Sequence, residues 1–313
     1  MKPNEEFESR VSDRPLPTPD KPHEFQPGVY DDVDFLVYQQ IPAINFSTLK
    51  LTAKSLAHYR WTSRGDETPA LAFGSLAHAG KLEPDLMSSH YIVLPEAEFI
   101  RNTQKWAKTA GNRTGKSNGQ PFSTPKASQH YKDQVTQFMK LHPGKQEVSV
   151  DWWNNLQGIL DSIDRNREAK KHFSKGRPEV TLVWIDPETE LLCKGRIDWV
   201  NDEEKSHSDL KTFQDVERFN PYDFRYNMQA AMYQEGFRVL TGLVYKPICV
   251  ATEKVSPYSV MTAPYSKNGL ELGRADFHIA LRMVATSIKK RRWPGPPAPK
   301  NGWQPPKWYK PIA

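Results

Sequence analysis

The sequence predicts a mixed α/β (α+β) domain, a helical first half leading into a strand-rich middle, and three observations carry that reading. Four capped segments of helical periodicity recur between Asn45 and Ile163. Three short β-prone runs follow, parted by turn-rich tetrapeptides. A helix, a paired set of β-prone runs and a last helix then close the order, so the middle reads αβββαβ.

Each element has a local cause. Asn45 or Ser47 can cap a helix whose apolar residues Leu49, Ala53, Leu56 and Ala57 share one side. Thr68 and Pro69 open a second helix, which Pro84 closes. Thr124 and Pro125 open a third, with Val135, Phe138 and Met139 inward and Pro143 and Gly144 at its end. Ser149 caps a fourth, where Trp152, Leu156, Ile159, Leu160 and Ile163 recur at the spacing of a helix packed on a sheet. The strands are Val180 to Ile185, Leu191 to Val200 and Ser208 to Phe213. Asp186-Pro187-Glu188-Thr189 and Asn201-Asp202-Glu203-Glu204 separate them, which makes an antiparallel meander. A helix from about Asp223 to Leu240, a strand Pro247 to Val255 paired with Tyr258 to Ala263, and a helix from about Leu270 to Arg292 complete the body.

The chain has 313 residues, with 43 Lys and Arg against 37 Asp and Glu and a formal charge of +6. Residues 1–28 hold six prolines among many charges, too little apolar surface to offset the entropy of ordering, and read as a disordered arm. The far end, Trp293 to Ala313, holds seven prolines with Trp303, Trp308 and Tyr309, and 294–313 reads as an extended tail with aromatic anchors. The body is then 29–293: a helical part 29–147, a core 148–263 and a last helix 264–293. No apolar run approaches the roughly 18 residues of a membrane span, and Met1 to Arg14 holds no apolar signal core, so a cytoplasmic protein is expected. Two cysteines, Cys193 and Cys249, exclude a disulfide scaffold, a four-cysteine zinc site and a four-cysteine iron–sulfur cluster.

The chemistry gathers on the strands. Because side chains alternate across a sheet, Asp209 and Lys211 share one face while Leu210 points away. The same acid-x-lysine spacing in Glu168-Ala169-Lys170 and Glu203-Glu204-Lys205 falls in a charged helix end and a turn, where a solvated ion pair is the natural reading. Asp198, in Lys194-Gly195-Arg196-Ile197-Asp198-Trp199, is a carboxylate among residues that are normally buried, which is unfavourable unless it is paired or metal-bound. Glu179 brings a third acid to the same end of the sheet. Asp198, Asp209 and Glu179, with the Leu210 carbonyl, could ligate a hard divalent cation, Mg²⁺ with Mn²⁺ as a substitute, and Lys211 would then hold the attacking water. A structural salt bridge between strands explains the acids equally well, and the acids alone leave both readings open. On the following helix Gln229 and Tyr233 lie one turn apart on one face, placed to position a phosphate or to pack at a half-buried surface.

Taken in order, Glu179, Gly195-Arg196-Ile197-Asp198, Ser208-Asp209-Leu210-Lys211 and Asn227-Met228-Gln229-Ala230-Ala231-Met232-Tyr233 resemble the PD-(D/E)XK nuclease superfamily in its RecB-like branch. The nearest likeness is to the C-terminal nuclease of the exodeoxyribonuclease VIII (RecE) family of phages and prophages. Phe73-Gly74-Ser75-Leu76-Ala77-His78 with Leu82-Glu83-Pro84 is similar to that family's N-terminal helix and its histidine, and the likeness runs over roughly Tyr38 to Trp293. The resemblance implies a restriction-endonuclease-like core with a central mixed sheet flanked by helices, and an N-terminal helical elaboration. It implies metal ligation by His78, Asp198, Asp209 and the Leu210 carbonyl. Lys211 is then the catalytic lysine, Gln229 and Tyr233 are accessory residues, and Glu179 is a further acid. It also implies a Mg²⁺-dependent exonuclease acting 5′ to 3′ and processively on duplex DNA ends, as a homo-oligomeric ring, with a single-strand annealing protein as partner.

Arg101 to Lys132 carries seven Lys and Arg and no acid, a segment outside the family pattern that would reach DNA phosphates through Arg101, Lys105, Lys108, Arg113 and Lys116. Lys289-Lys290-Arg291-Arg292 adds a second basic region, whose simpler reading is complementing a helix C-terminus. Ala110 to Ser117 satisfies a relaxed phosphate-loop pattern, but the segment before it is polar and helical where ATP binding demands a buried strand. Two other readings stand beside the exonuclease: a non-catalytic DNA-binding or phage assembly protein on the same fold, and an endonuclease.

Overall fold

Two sheets and the helices on their faces make up the residues that the computed structural model describes, 26–62, 68–111 and 122–298. The chain enters through β1 (Gly28–Tyr30) and α1 (Phe35–Gln40), whose first amides, Leu36 and Val37, donate to the Asp34 carboxylate. Asn45 caps a single turn, Phe46–Leu49, by accepting from the Thr48 amide. Ser55, in extended conformation, then accepts from the His58 amide and starts α2 (Leu56–Trp61). The one helix expected here is therefore two, split by a 3₁₀ turn, Lys50–Ala53, and an internal cap.

Thr68 caps α3 (Pro69–Leu82), with Pro69 in its first turn and Pro84 beyond its end, as the sequence expects. β2 (Tyr91–Val93), α4 (Glu96–Trp106), α5 (Gln129–Lys140) and β3 (Gln146–Val148) form an outlying unit, in which Val135, Phe138 and Met139 pack on Leu94, Phe99 and Tyr131. Here α5 starts later than expected, because Pro125–Ala127 forms a 3₁₀ turn and Ser128 supplies the cap. Ser149 caps α6 (Val150–Arg165), and Asn166 caps α7 (Arg167–His172).

The meander follows as β4 (Arg177–Ile185), β5 (Leu192–Asn201) and β6 (Ser206–Phe213), then α8 (Tyr226–Thr241), β7 (Lys246–Glu253), β8 (Val260–Pro264) and α9 (Lys267–Lys290). The large sheet has the order β1-β4-β5-β6-β7-β8. Its neighbours are antiparallel except β6 and β7, which α8 connects by a crossover and which run parallel. On one face Met228, Met232 and Phe237 of α8 and Phe277 and Leu281 of α9 pack on Leu182, Trp184 and Ile197. On the other, Phe73 and Leu76 of α3 and Leu156, Ile159 and Ile163 of α6 pack on Leu210, Ile248 and Val250. This mixed α/β sandwich is the expected αβββαβ core with an added edge strand β1, and the expected helical part 29–147 also holds β2 and all but the last residue of its parallel partner β3.

The chain beyond α9 is tied down at its start. The Trp293 ring stacks on Tyr59 with centroids 5.8 Å apart, and the Ala57 amide donates to the Pro294 carbonyl at 3.0 Å. The arm expected over 1–28 lies outside the described residues except for its last three, and Gly28 is already in β1. Trp303, Trp308 and Tyr309 also lie outside the described residues.

Candidate active site

The site forms where β5 and β6 part. Their ladder covers only Trp199 with Ser208, Val200 with His207 and Asn201 with Ser206. Asp198 and Asp209 are the next residues along, so both acids stand at the fork. A buried backbone group released from a ladder needs another partner. The Leu210 amide donates to Asp198 Oδ2 at 2.6 Å, and the Leu210 carbonyl lies 2.8 Å from Nε2 of His78 on α3. His78 Nδ1 is 3.6 Å from Asp198 Oδ2. The helix and both strands of the fork are thus joined through the backbone of Leu210, the residue between Asp209 and Lys211.

Strand alternation sets the other side of the site. Leu210 is fully buried against α3 and α6, while Asp209 and Lys211 turn toward α8. Lys211 Nζ is 2.6 Å from Asp209 Oδ2 and 4.7 Å from the centre of the Tyr226 ring at the start of α8. At Asp198 the alternation itself breaks: Ile197 packs in the core under α8, yet Trp199, two residues on, packs in the core under α3 and α6. The neighbouring strand shows the same distortion. Glu179 on β4 has φ +51°, a left-handed conformation that is strained for a residue with a Cβ, between the pairs Pro178–Trp199 and Val180–Ile197. The turn of backbone leaves Glu179 facing Asp198, with its carboxylate bonded to the Arg196 guanidinium.

Two of these acids are poorly tolerated as anions. Burial, and then the charge of Asp209, pushes Asp198 up to about 7. Burial, and then the charge of Asp198, pushes Glu179 up to about 7 as well. Burial and the nearby Lys211 ammonium lower His78, so the ring is neutral and a nitrogen is open as a donor to a metal. Burial alone would favour the neutral amine at Lys211, but Asp209 and Asp198 outweigh it and raise its affinity for the proton. Lys211 is therefore a fixed cation and hydrogen-bond donor at neutral pH, not a base.

The residues present fit a divalent cation. One ligand atom each from His78, Glu179 and Asp198 lies within 4.8 Å of the others. Donors on one ion with bonds of roughly 2.1 Å are about 3 Å apart when adjacent and about 4.2 Å when opposite, so this group closes on an ion with small side-chain movements. Asp209 Oδ1 is buried with no hydrogen-bond partner among the described residues, and a cation would satisfy its lone pairs. Glu179 thus stands nearer the centre of the cluster than a peripheral acid would.

Gln229 and Tyr233 do meet one turn apart on α8, where Gln229 Nε2 donates to the Tyr233 hydroxyl at 3.0 Å. The Tyr233 ring is buried on Gly195, and a Cβ at position 195 would stand 2.6 Å from Tyr233 Cε1. That close approach explains the glycine of the Gly195-Arg196-Ile197-Asp198 run. Arg196, which holds Glu179, and Tyr226, which underlies Lys211, are site residues that sequence reasoning passed over. Arg196 lies within Gly195-Arg196-Ile197-Asp198, and Tyr226 directly precedes Asn227-Met228-Gln229.

The basic segment is only partly described. Arg101 and Lys105 on α4 and Lys108 just beyond it are exposed and form no ion pair among the described residues, whereas Arg113 and Lys116 lie outside them. What precedes Ala110 is α4 and one π turn, Ala107–Gly111, so the phosphate-loop pattern lacks the strand its chemistry needs.

The family model of a PDDEXK-like domain of unknown function (DUF3799) matches residues 45–298. The chain belongs to this family. The matched span of this PDDEXK-like domain opens at the Asn45 cap and closes past α9, so every residue of the site lies within it. Asp198 and Asp209-Leu210-Lys211 match the pattern of an acid followed by acid-x-lysine that the name PD-(D/E)XK abbreviates, and the mixed six-stranded sheet flanked by helices is the superfamily's fold. A crystal structure from Eubacterium rectale titled "Putative exonuclease" superposes with a TM-score of 0.54 at 14% identity, over 91% of this chain and 97% of its own. The crystal structure of SSO0001 aligns at 12% identity over 67% of this chain and 86% of its own, with a TM-score of 0.27. No curated protein matches the chain.

Proposed function

We propose that this PDDEXK-like domain is a divalent-metal-dependent deoxyribonuclease that hydrolyses phosphodiesters in linear double-stranded DNA. The observation that supports the reading is the fork of β5 and β6, where Asp198 meets His78 and the Leu210 amide and where Asp209, paired with Lys211, keeps Oδ1 without a partner among the described residues. An ion pair within β6 accounts for Lys211 and Asp209 but not for three acids crowded there, two of them with raised pKa. His78, Asp198, Asp209 and the Leu210 carbonyl would hold Mg²⁺ or Mn²⁺, with Glu179 closing the set. When bound, the ion supplies positive charge against the phosphate and lowers the barrier to attack on phosphorus.

The chain's own groups do the rest. Lys211, kept charged by its acids, donates to the attacking water or to a phosphate oxygen and opposes the negative charge that grows in the transition state. Gln229 and Tyr233 place polar groups beside the phosphate, and the rigid Gly195 contact fixes the tyrosine ring. Water adds to phosphorus, a P–O bond to the leaving strand breaks, and a proton ends on the leaving oxygen.

The finer reading rests on the likeness to the exodeoxyribonuclease VIII family: digestion from ends, 5′ to 3′ and processive, leaving 3′ single strands for an annealing partner. The same likeness supports a ring of subunits and action in the cytoplasm of a bacterial host, from a phage or prophage gene. Exposed Arg101, Lys105 and Lys108, continued by Arg113 and Lys116, would hold the duplex. Linear duplex labelled at either end, incubated with Mg²⁺ or with EDTA, tests this. The expected result is metal-dependent loss of the 5′ label first, with covalently closed circles intact. Cutting that persists in EDTA, or full activity in Lys211→Ala and Asp209→Asn, contradicts the site. Cleaved circles redirect the reading to an endonuclease, and a folded protein that binds DNA without cutting it in either metal supports a non-catalytic role.

A further inference from the structure

The chain leaves β6 and crosses to α8 through a segment unusually rich in rings. Phe213, Phe219, Tyr222, Phe224 and Tyr226 are five of the fourteen residues from 213 to 226, against 11% aromatic residues overall. Four of these rings form one connected run. Phe213 and Phe219 have centroids 4.1 Å apart, Phe213 and Phe224 5.3 Å, and Phe224 stacks on Tyr226 at 5.4 Å with their planes 17° apart. The run is not sealed core, since Phe224 keeps 44% of its surface and Phe213, Phe219 and Tyr226 are half-buried. Apolar faces left open to water and gathered in one place mark a binding surface.

The run also ends at the reaction centre. The Lys211 ammonium lies over the Tyr226 ring, and Phe46, 6.4 Å from Tyr226, carries the Lys50 ammonium 5.3 Å above its own ring. Lys50 is close enough to Lys211 and Lys54 for their charges to repel its own, yet neither Lys50 nor Lys54 forms an ion pair among the described residues. Ring faces interleaved with two ammonium groups, Lys211 held by Asp209 and Lys50 in no ion pair among the described residues, match a polyanion that also presents flat apolar faces. A strand with unpaired bases is such a polyanion, whereas an intact duplex hides its base faces in its own stack and an acidic peptide has none.

We propose that Phe213, Phe219, Phe224 and Tyr226 form a stacking platform for the unpaired terminal bases of a DNA strand whose backbone phosphate lies against Lys211 and Lys50. The strand then enters the site already frayed from its complement. This proposal rests on the nuclease reading above and adds the form in which substrate is held.

The probe is a hairpin duplex carrying unpaired 2-aminopurine bases at its 5′ end, with a second at its 3′ end and a blunt control, each bound in EDTA so that nothing is cleaved. Stacking on a ring quenches 2-aminopurine. Wild-type protein is expected to quench one of the two ends and to bind that hairpin more tightly than the blunt one. Phe224→Ala and Phe224→Leu should both lose the quenching and bind the unpaired end roughly tenfold more weakly, with blunt binding unchanged, while Phe224→Trp retains both. Phe224→Leu keeps the apolar bulk that loop packing needs, so wild-type quenching in that variant overturns the platform, as does the absence of quenching at either end by wild type. Cleavage of end-labelled duplex in Mg²⁺ is scored in parallel. A protein that cuts without Phe224-dependent quenching loses the platform and keeps the nuclease reading, and one that quenches through Phe224 but never cuts loses the nuclease reading and keeps the platform.

Discussion

Gly195 sits where the strand carrying Asp198 meets the helix carrying Tyr233, and replacing it with alanine perturbs the site without touching a charge. The added Cβ would lie 2.6 Å from Tyr233 Cε1 and 2.8 Å from Cδ1. Carbon atoms rest about 3.5–4.0 Å apart, so the ring must retreat by roughly 1 Å. Retreat is hindered, because Tyr233 is 6% exposed and its hydroxyl accepts from Gln229 at 3.0 Å. Overpacking of this kind costs about 1–3 kcal/mol. Urea denaturation of wild type, Gly195→Ala, Tyr233→Ala and the double variant separates this clash from any intrinsic effect of alanine in a strand. Tyr233→Ala alone opens a cavity and is itself costly, but in that background the methyl added at position 195 meets no ring and fills part of the gap. The two substitutions should therefore fail to add, with a coupling of about 1–2 kcal/mol in favour of the double variant. Strict additivity would refute the contact as the reason for the glycine.

The remaining predictions concern pairs away from the fork. Arg238 Nε donates to Glu235 Oε2 at 2.9 Å, and this bond holds the Glu235 carboxyl below its ordinary 4.5. A depressed folded value means that the pair stabilises the fold above about pH 4.5 and is lost as pH falls through that lower value. Glu235→Gln should be less stable than wild type by about 1 kcal/mol at pH 7, because Arg238 is half-exposed and screened, and the gap should narrow progressively as pH falls below 4.5 in urea titrations. Trp293→Ala removes the stack on Tyr59 and loosens the chain at Pro294, whose carbonyl accepts from the Ala57 amide. Hydrogen exchange at Ala57 should accelerate by roughly tenfold with a loss of about 1–2 kcal/mol in global stability. Unchanged exchange would show that the tail's first residues do not anchor there.

Much of the core was legible because local chemistry and tertiary need coincide. Thr68-Pro69 and Ser149 cap helices in the structure as in the sequence, and the turn-rich segments around Pro187 and Asp202 end strands that do form a meander. Ser55 was hidden because Leu49, Ala53, Leu56 and Ala57 keep helical spacing across it, while the break depends on an extended backbone at one residue. Three-residue strands such as β1, β2 and β3 are too short to show a period, and β1 exists only through pairing with β4, some 150 residues away. In the site, Asp198, Asp209 and Lys211 could be placed from alternation and neighbouring apolar residues. The inward turn of Glu179 depends on a positive φ that its residue type disfavours, and Arg196 and Tyr226 join the site, and Phe46 brings Lys50 toward it, through contacts between separate elements. No local pattern records such contacts.

The account stands on the fork between β5 and β6 as a seat for a divalent ion. Crystals of the wild-type protein soaked in Mn²⁺ and measured at the manganese absorption edge test it most directly. One anomalous peak within roughly 2.4 Å of His78, Asp198, Asp209 and the Leu210 carbonyl is the expected result. A peak elsewhere with these four groups left unliganded, or none at a concentration that saturates DNA cleavage, would contradict it.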